Sequence, residues 1–319
     1  MIVKKRKVII DCDPGHDDAV ALLVALAHPE LFEILGVTTV AGNQTIDKVT
    51  NNVLKMFDYL GVKGIPVSAG YSDPLLRPVQ TAGFVHGDSG MDGPVLPEPV
   101  SKVTGMHAIE FMRKAIEEAD EKVTIIPLGP LTNVGLFLKT YPQLKEKIEC
   151  IALMGGSIYG GNILAKAEFN IFQDPDCAKI VFDSGLPIIM APTECCDEGG
   201  VLFTEQKEFL KGGKVSHFTY DLFEYYGRYC AKNGWDRVVI YDMTPIIYLM
   251  RPELFETQQL RVDIETDGKY CRGCTVCDFR GGAHVEKCED PKTVLTHVNR
   301  EEFVQVLFDA LKYLDEKYA

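Results

Sequence analysis

Val8-Ile9-Ile10-Asp11-Cys12-Asp13-Pro14-Gly15-His16-Asp17-Asp18-Ala19 joins an apolar run to four closely spaced aspartates, and these to a second apolar segment. The Val/Ile run reads as a buried strand and Ala19–Ala27 as a helix, so the aspartates sit in the turn between them. Carboxylates this close repel one another, and in a partly buried site they need a counter-charge. A hard divalent cation, Ca²⁺ or Mg²⁺, supplies it directly, because both prefer carboxylate and carbonyl oxygen. The competing reading is a solvated acidic turn. A position where a buried strand meets a helix argues against it.

Outward from this stretch the same alternation repeats. Val8–Ile10, Ile34–Val40, Ile65–Val67, Val123–Ile126, Cys150–Met154 and Ile188–Met190 read as strands apolar on both faces. Helical periodicity fills the gaps at Ala19–Ala27, Ile46–Leu60, Gly105–Ala119, Asn133–Leu138 and Ala178–Phe182. The pattern predicts an α/β fold: an open, mostly parallel twisted sheet flanked by helices. Further helices are expected at Thr204–Leu210, Val215–Ala231, Met243–Met250 and from Glu301 to about Lys317. Strands are expected at Leu260–Glu265, Thr275–Phe279 and Thr293–Val298. With no low-complexity linker and no internal repeat, one domain spanning residues 1–319 is expected.

The net charge of −13 argues against nucleic acid or an anionic membrane as a partner. The tetrad Lys4-Lys5-Arg6-Lys7 reads as a solvated end rather than a basic patch. No apolar run approaches the roughly 18 residues of a membrane span. Met1-Ile2-Val3-Lys4 lacks the apolar core of an export signal, so the ten cysteines read as reduced thiols in a cytoplasmic protein.

Polar and glycine residues gather after several of the strands: the aspartates, Ala41-Gly42-Asn43-Gln44, Pro127-Leu128-Gly129-Pro130-Leu131-Thr132-Asn133, and Gly155-Gly156-Ser157. Open parallel sheets bind ligands outside the carboxyl ends of their strands. Any one of these loops is an ordinary turn, but four on one edge point to a site.

Two metal templates fail. An EF-hand beginning at Asp11 needs Gly and Glu where His16 and Leu22 stand. A haloacid-dehalogenase-like phosphatase motif is spoiled by Gly15. The stretch closely resembles the signature Asp-x-Asp-Pro-Gly-x-Asp-Asp-Ala of the nucleoside hydrolases of the inosine–uridine-preferring type. Family-like segments follow in order: Val37–Gln44, Val85–Met91, Gly129–Asn133, Leu153–Gly156, Ala167–Ile171, Asp174-Pro175, Asp242 and Thr275–Arg280. The likeness runs from about Lys7 to Leu311.

That resemblance implies hydrolysis of the N-glycosidic bond of a ribonucleoside to ribose and free base. It implies Ca²⁺ held by Asp13, Asp18, the Leu128 main-chain carbonyl and Asp242, with substrate hydroxyls completing the shell. Asp13 is then also the general base toward a water on the cation, with no covalent intermediate. Asp17, Asn43, Met154, Asn162, Glu168, Phe169 and Asn170 match positions that line the substrate site, and His86 is placed at its mouth. Asp11 orders the loop. The resemblance also implies a homo-oligomer, dimer or tetramer.

Two departures from the family pattern stand out. Many members carry His before the last metal-binding aspartate, to protonate the leaving base; this chain has Tyr241. Tyrosine is protonated at neutral pH and can donate, although more weakly than imidazolium. The alternative is that Tyr241 packs or stacks on the base. Pro192-Thr193-Glu194-Cys195-Cys196-Asp197 replaces a usual Leu-Asp-(Val/Leu)-Thr. Together they suggest a substrate preference unlike that of the His-bearing members. Cys271, Cys274, Cys277 and Cys288 could suggest zinc or iron–sulfur, but read as packing residues near a strand. Two rival functions remain: a ribonucleoside-binding relative with little turnover, and a metal-dependent phosphohydrolase, the latter disfavoured by the missing Lys/Arg phosphate clamp.

Overall fold

A computed structural model of the chain describes residues 5–280 and 288–318. Met1-Ile2-Val3-Lys4, on which the export-signal reading rests, lies outside them.

Eleven strands are described: β1 (Arg6–Cys12), β2 (Phe32–Thr39), β3 (Val67–Ala69), β4 (Val123–Pro127), β5 (Ile148–Met154), β6 (Ile188–Ala191), β7 (Val201–Leu202), β8 (Arg237–Val238), β9 (Phe255–Ile264), β10 (Thr275–Asp278) and β11 (Lys292–Val298). Nine of them form one sheet in the order β10-β9-β11-β6-β5-β4-β1-β2-β3, while β7 and β8 pair separately. From β11 to β3 every pairing is parallel; β9 runs antiparallel to both β10 and β11. The mostly parallel α/β sheet expected from the alternation is what the chain forms.

The helices are α1 (His16–Ala27), α2 (Ile46–Leu60), α3 (Gly83–His86), α4 (Ala108–Glu118), α5 (Thr132–Thr140), α6 (Phe169–Gln173), α7 (Pro175–Phe182), α8 (Thr193–Glu198), α9 (Lys214–Lys232), α10 (Met243–Met250) and α11 (Arg300–Lys317). They cover both faces of the sheet, and alternate residues of one strand divide between two cores. Val8, Ile10 and Cys12 of β1 pack into the core shared with α1, α9, α10 and α11. Ile9 points the other way, toward Met112 of α4, Val134 of α5 and Val181 of α7. Helix α1 is buried at all twelve positions because it lies between the sheet and α10 and α11. Its sequence is accordingly apolar nearly all round.

Several boundaries differ from the sequence reading for local reasons. Strand β9 starts at Phe255, not Leu260, because Glu256–Gln259 face solvent and mask the apolar alternation. Helix α4 starts only at Ala108, with the His107 side chain accepting from the Ile109 N–H. Thr204–Leu210 yields a 3₁₀ turn at Gln206–Lys211 in place of an α-helix. Helices α6 and α8, of five and six residues, are too short to leave a periodic signal. Of the basic tetrad Lys4 lies outside the described residues, Lys5 and Arg6 are exposed as a solvated end would be, and only Lys7 is partly covered. Arg6 and Lys7 belong to β1, and Lys7 pairs with Glu33 at 3.0 Å and Asp120 at 3.1 Å.

Chain order places the site. From β1 the chain steps outward to β2 and β3, then crosses back so that β4 pairs with the other side of β1. The adjacent ends of β1 and β4 are thus a topological switch point, where a crevice opens in such sheets. Asp13 follows one end and Leu128 the other.

Candidate active site

Asp11 is the last inward-facing acid of β1 and is fully buried. Its Oδ1 accepts from Thr38 Oγ1 at 2.6 Å and from Asn133 Nδ2 at 2.8 Å. The same Asn133 amide donates to the Thr39 carbonyl and accepts from the Tyr71 N–H, tying β1, β2 and the loop after β3. Asp11 thus links β1 to β2 and to the first turn of α5. Burial lifts its carboxyl to about 7 despite the two hydrogen bonds.

Asp13 lies one step beyond the strand. Its Oδ2 accepts the Asn43 N–H at 2.6 Å, while its Oδ1 is buried without a partner. Two glycines make room for it. A Cβ on Gly42 would stand 2.2 Å from Oδ2, and one on Gly129 would stand 2.3 Å from Oδ1. The Asp18 carboxylate gathers three donors: the N–H of Asp13 (3.1 Å), the N–H of Gly15 (2.9 Å) and Asn43 Nδ2 (3.2 Å). Asp18 stands in the first turn of α1, where the helix dipole favours negative charge.

Asp17, Asp18 and Asp242 each bring an oxygen within 4.8 Å of the other two, all three buried. Asp17 joins this group because the first turn of α1 presents residues 17 and 18 together. Asp13 stands beside the group, joined to it through Asp18. Burial is the largest cause raising each of these four carboxyls above its ordinary range; neighbouring aspartates push Asp13, Asp17 and Asp242 further up, while the hydrogen bonds to Asp18 pull it back down. Asp17, raised to about 8, also leaves its Oδ1 buried and partnerless. Crowded carboxylates, two of which leave a buried oxygen partnerless, beside a main-chain carbonyl are a donor set suited to a hard divalent cation.

A cleft of about 790 Å³, measured out to its open mouth, holds Asp17, Asn43, His86, Leu128, Met154, Asn162, Glu168, Phe169, Asn170, Tyr241 and Asp242 among its walls. Its mixed polar and aromatic lining suits a small-molecule ligand. Every substrate-lining residue expected from the sequence therefore converges there. Asn170 Nδ2 donates to the Leu128 carbonyl at 2.7 Å, which leaves that oxygen a second lone pair. Glu168 is committed more deeply than expected. It caps α6 by accepting from the Asn170 and Ile171 N–H groups, and it also takes the Gly156 N–H at 2.9 Å. Asn162 is exposed, and its Oδ1 accepts the Phe169 N–H at 2.9 Å, so it orders the loop as well as facing the cleft.

His86 is buried and meets His16 Nδ1 to Nδ1 at 3.0 Å, while His16 Nε2 lies 2.7 Å from the Asp92 carbonyl. Burial keeps both rings neutral, His16 at about 4 and His86 also well below the usual histidine range. Tyr241 is held differently from a free acid. Its hydroxyl donates to Asp197 Oδ1 at 2.8 Å, and burial together with that carboxylate lifts its pKa well above 10.

Several residues of the cleft escaped the sequence reading. Tyr226 and Tyr229 of α9, with Trp235 and Phe84, form an aromatic stretch of the cleft wall that Cys230 adjoins, Tyr226 and Tyr229 stacking with ring centroids 6.2 Å apart. The i, i+3, i+4 spacing of Tyr226, Tyr229 and Cys230 was visible, but such a stripe normally marks core. The cysteines do not gather. Among the described residues, Asp17, Asp18 and Asp242 are the only group of three or more side chains close enough to share an ion. Cys271 is exposed in a turn rather than packed, and Cys274, Cys277 and Cys288 are half-buried. Among the described residues, no helix is long and apolar enough to cross a membrane.

Comparison with known proteins agrees with this geometry. The profile of a family described as inosine-uridine preferring nucleoside hydrolase matches residues 8–305. The pyrimidine-specific ribonucleoside hydrolase RihA of Escherichia coli O1:K1 / APEC is 41% identical over 309 residues, covering 96% of this chain and 98% of that protein. Among solved structures, a plant nucleoside hydrolase, the PpNRh1 enzyme, superposes with a TM-score of 0.90 at 28% identity, covering 97% of this chain and 99% of that one. A purine-preferring ribonucleoside hydrolase from Gardnerella vaginalis also reaches 0.90, at 27% identity, covering 98% of this chain and all of that one.

Proposed function

The chain belongs to the inosine-uridine preferring nucleoside hydrolase family and is a ribonucleoside hydrolase, and from that premise we propose that it is calcium-dependent, with Asp13 as general base. The observation that carries this reading is the buried acidic group reached from the cleft: Asp17 and Asp242 line it, Asp13 and Asp18 adjoin them outside its lining, and Asp13 Oδ1 and Asp17 Oδ1 have no partner. Asp13, Asp18, Asp242 and the Leu128 carbonyl would hold the cation, with Asp17 beside them. Four oxygen donors of mixed type, with room for sugar hydroxyls, favour Ca²⁺ over the stricter octahedron of Mg²⁺. When bound, the cation would offset the mutual repulsion of the carboxylates and lower the pKa of a water.

The chain's own residues account for the rest. Asn43 fixes Asp13 through Oδ2, leaving Oδ1 to take a proton from water as it attacks the anomeric carbon. Asp17, Asn43, Met154, Asn162, Glu168, Phe169 and Asn170 position the ribose, and the wall of Tyr226, Tyr229 and Trp235 offers ring faces to the base. His86 lines the cleft with its ring stacked against His16 and Tyr226. Tyr241 contacts the base rather than acting as its acid, because its proton already serves Asp197. The curated relative is pyrimidine-specific, so uridine and cytidine are the first substrates to assay. We also take the chain as one domain, since strands from both ends share one sheet. A homo-oligomer, dimer or tetramer, in the cytoplasm completes the proposal.

The test is a reducing-sugar assay over uridine, cytidine, inosine, adenosine and guanosine, with chelator and after adding back Ca²⁺. Chelation should abolish ribose release and Ca²⁺ should restore it. Full activity in chelator would refute the metal reading.

A further inference from the structure

The two places where the sequence departs from the family pattern, Tyr241 and the segment 192–197, touch each other. Tyr241 Oη donates to Asp197 Oδ1 at 2.8 Å. Their position makes the contact informative. Tyr241 lines the cleft directly before Asp242, with Tyr229 and Trp235 in the same lining, so it stands where the acids and the aromatic wall share the cleft. Asp197 lies behind it, in the outer groove that shares Trp235 with the cleft. A phenol has one proton and two lone pairs. With its hydroxyl donating to Asp197, Tyr241 can offer a molecule in the cleft only an acceptor oxygen and the edge of its ring.

We propose that Asp197 is a positioning residue for Tyr241, accepting the hydrogen bond from its hydroxyl so that the tyrosine meets the base as a hydrogen-bond acceptor and favours bases carrying an exocyclic amino group over their oxo counterparts. The inference rests on the hydrolase reading, and it deepens that reading by naming the base edge that the site selects. Asp197 is well placed to accept that hydrogen bond. It is half-buried among Glu194 and Glu198, whose charges oppose its ionisation, and the Tyr241 hydroxyl is the hydrogen bond that favours it. A buried acceptor discriminates strongly, because an oxo group facing it would leave two acceptors opposed and both desolvated.

The experiment compares kcat/KM for cytidine against uridine and for adenosine against inosine, in the wild type, Tyr241→Phe, Asp197→Leu and Asp197→Asn, all loaded with Ca²⁺. Tyr241→Phe removes the acceptor and should lower both amino-to-oxo ratios by about tenfold or more. Asp197→Leu frees the hydroxyl to donate and should move the ratios the same way. Asp197→Asn keeps an acceptor oxygen and should restore the wild-type ratios, a rescue that a merely structural role would not give. Unmoved ratios in Tyr241→Phe, or equal losses on all four nucleosides in both Tyr241→Phe and Asp197→Leu, would overturn the proposal. If Asp197→Leu melts too early to assay, the Tyr241→Phe ratios decide alone. Because these are ratios on one catalyst, they stay readable even if chelation shows that another cation, or none, supports turnover.

Discussion

Asp11 and Asp13 are two residues apart, equally buried, and do different work. Asp11 holds Thr38 and Asn133, so Asp11→Ala leaves both donors without their acceptor. The expected cost is about 1–3 kcal/mol of stability, measurable by urea denaturation. Asp13→Asn should instead leave the metal-free protein as stable as the wild type or more so, because it removes one of four mutually repelling charges. Gly42 and Gly129 belong to the same account. An alanine at either would drive its methyl into the Asp13 carboxylate. Gly42→Ala and Gly129→Ala should therefore lower kcat by about 10²-fold or more while the far-UV circular dichroism stays native. Most of these roles were legible from residue type and order. The partnerships of Asn133 and Asp197 were not, because they join residues 122 and 44 positions apart.

At the scale of elements, the strand-to-helix turns were legible because Gly, Asn and Asp mark them, whereas the short helices that aim side chains were not. Helix α8 illustrates the loss. Its Glu194 accepts from the N–H groups of Ile158 (2.8 Å), Tyr159 (2.6 Å) and Gly160 (3.2 Å), pinning the loop that leads to Asn162 and Ile163 in the cleft wall. Removing that anchor loosens one wall without touching the acids. Glu194→Ala should raise KM for the nucleoside by about tenfold, with a smaller change in kcat, measured by steady-state kinetics. The aromatic wall was hidden for a different reason. Tyr226, Tyr229 and Cys230 share a face of α9, and in sequence an amphipathic stripe facing a cleft looks like one facing a core.

Across the whole molecule, the central strands declare themselves because they are buried on both faces, and the far edge does so less clearly because β9 turns polar residues to solvent. The sheet then brings residues from opposite ends of the chain to one crevice, at a cost in buried charge. Asp11 at about 7, Asp17 at about 8 and Glu168 at about 7 all have folded pKa values raised above their ordinary ones by burial. The folded state therefore holds protons that the unfolded chain has released. These groups contribute stability that is full below their ordinary pKa values of about 4 and is lost progressively as the pH rises from there through about 7 to 8. In chelator, the thermal midpoint should fall across that window. Ca²⁺ at a hundredfold its Kd should recover about 2.7 kcal/mol, with the largest rescue above pH 7. A midpoint in chelator that rises with pH through the window would contradict the assignment.

The measurement that bears most directly on the central claim is ribose release from uridine and cytidine by Asp13→Asn beside the wild type, both saturated with Ca²⁺. The account predicts a loss in kcat of about 10²–10⁴-fold in a protein that still melts like the wild type. Ribose release at the wild-type rate would contradict it.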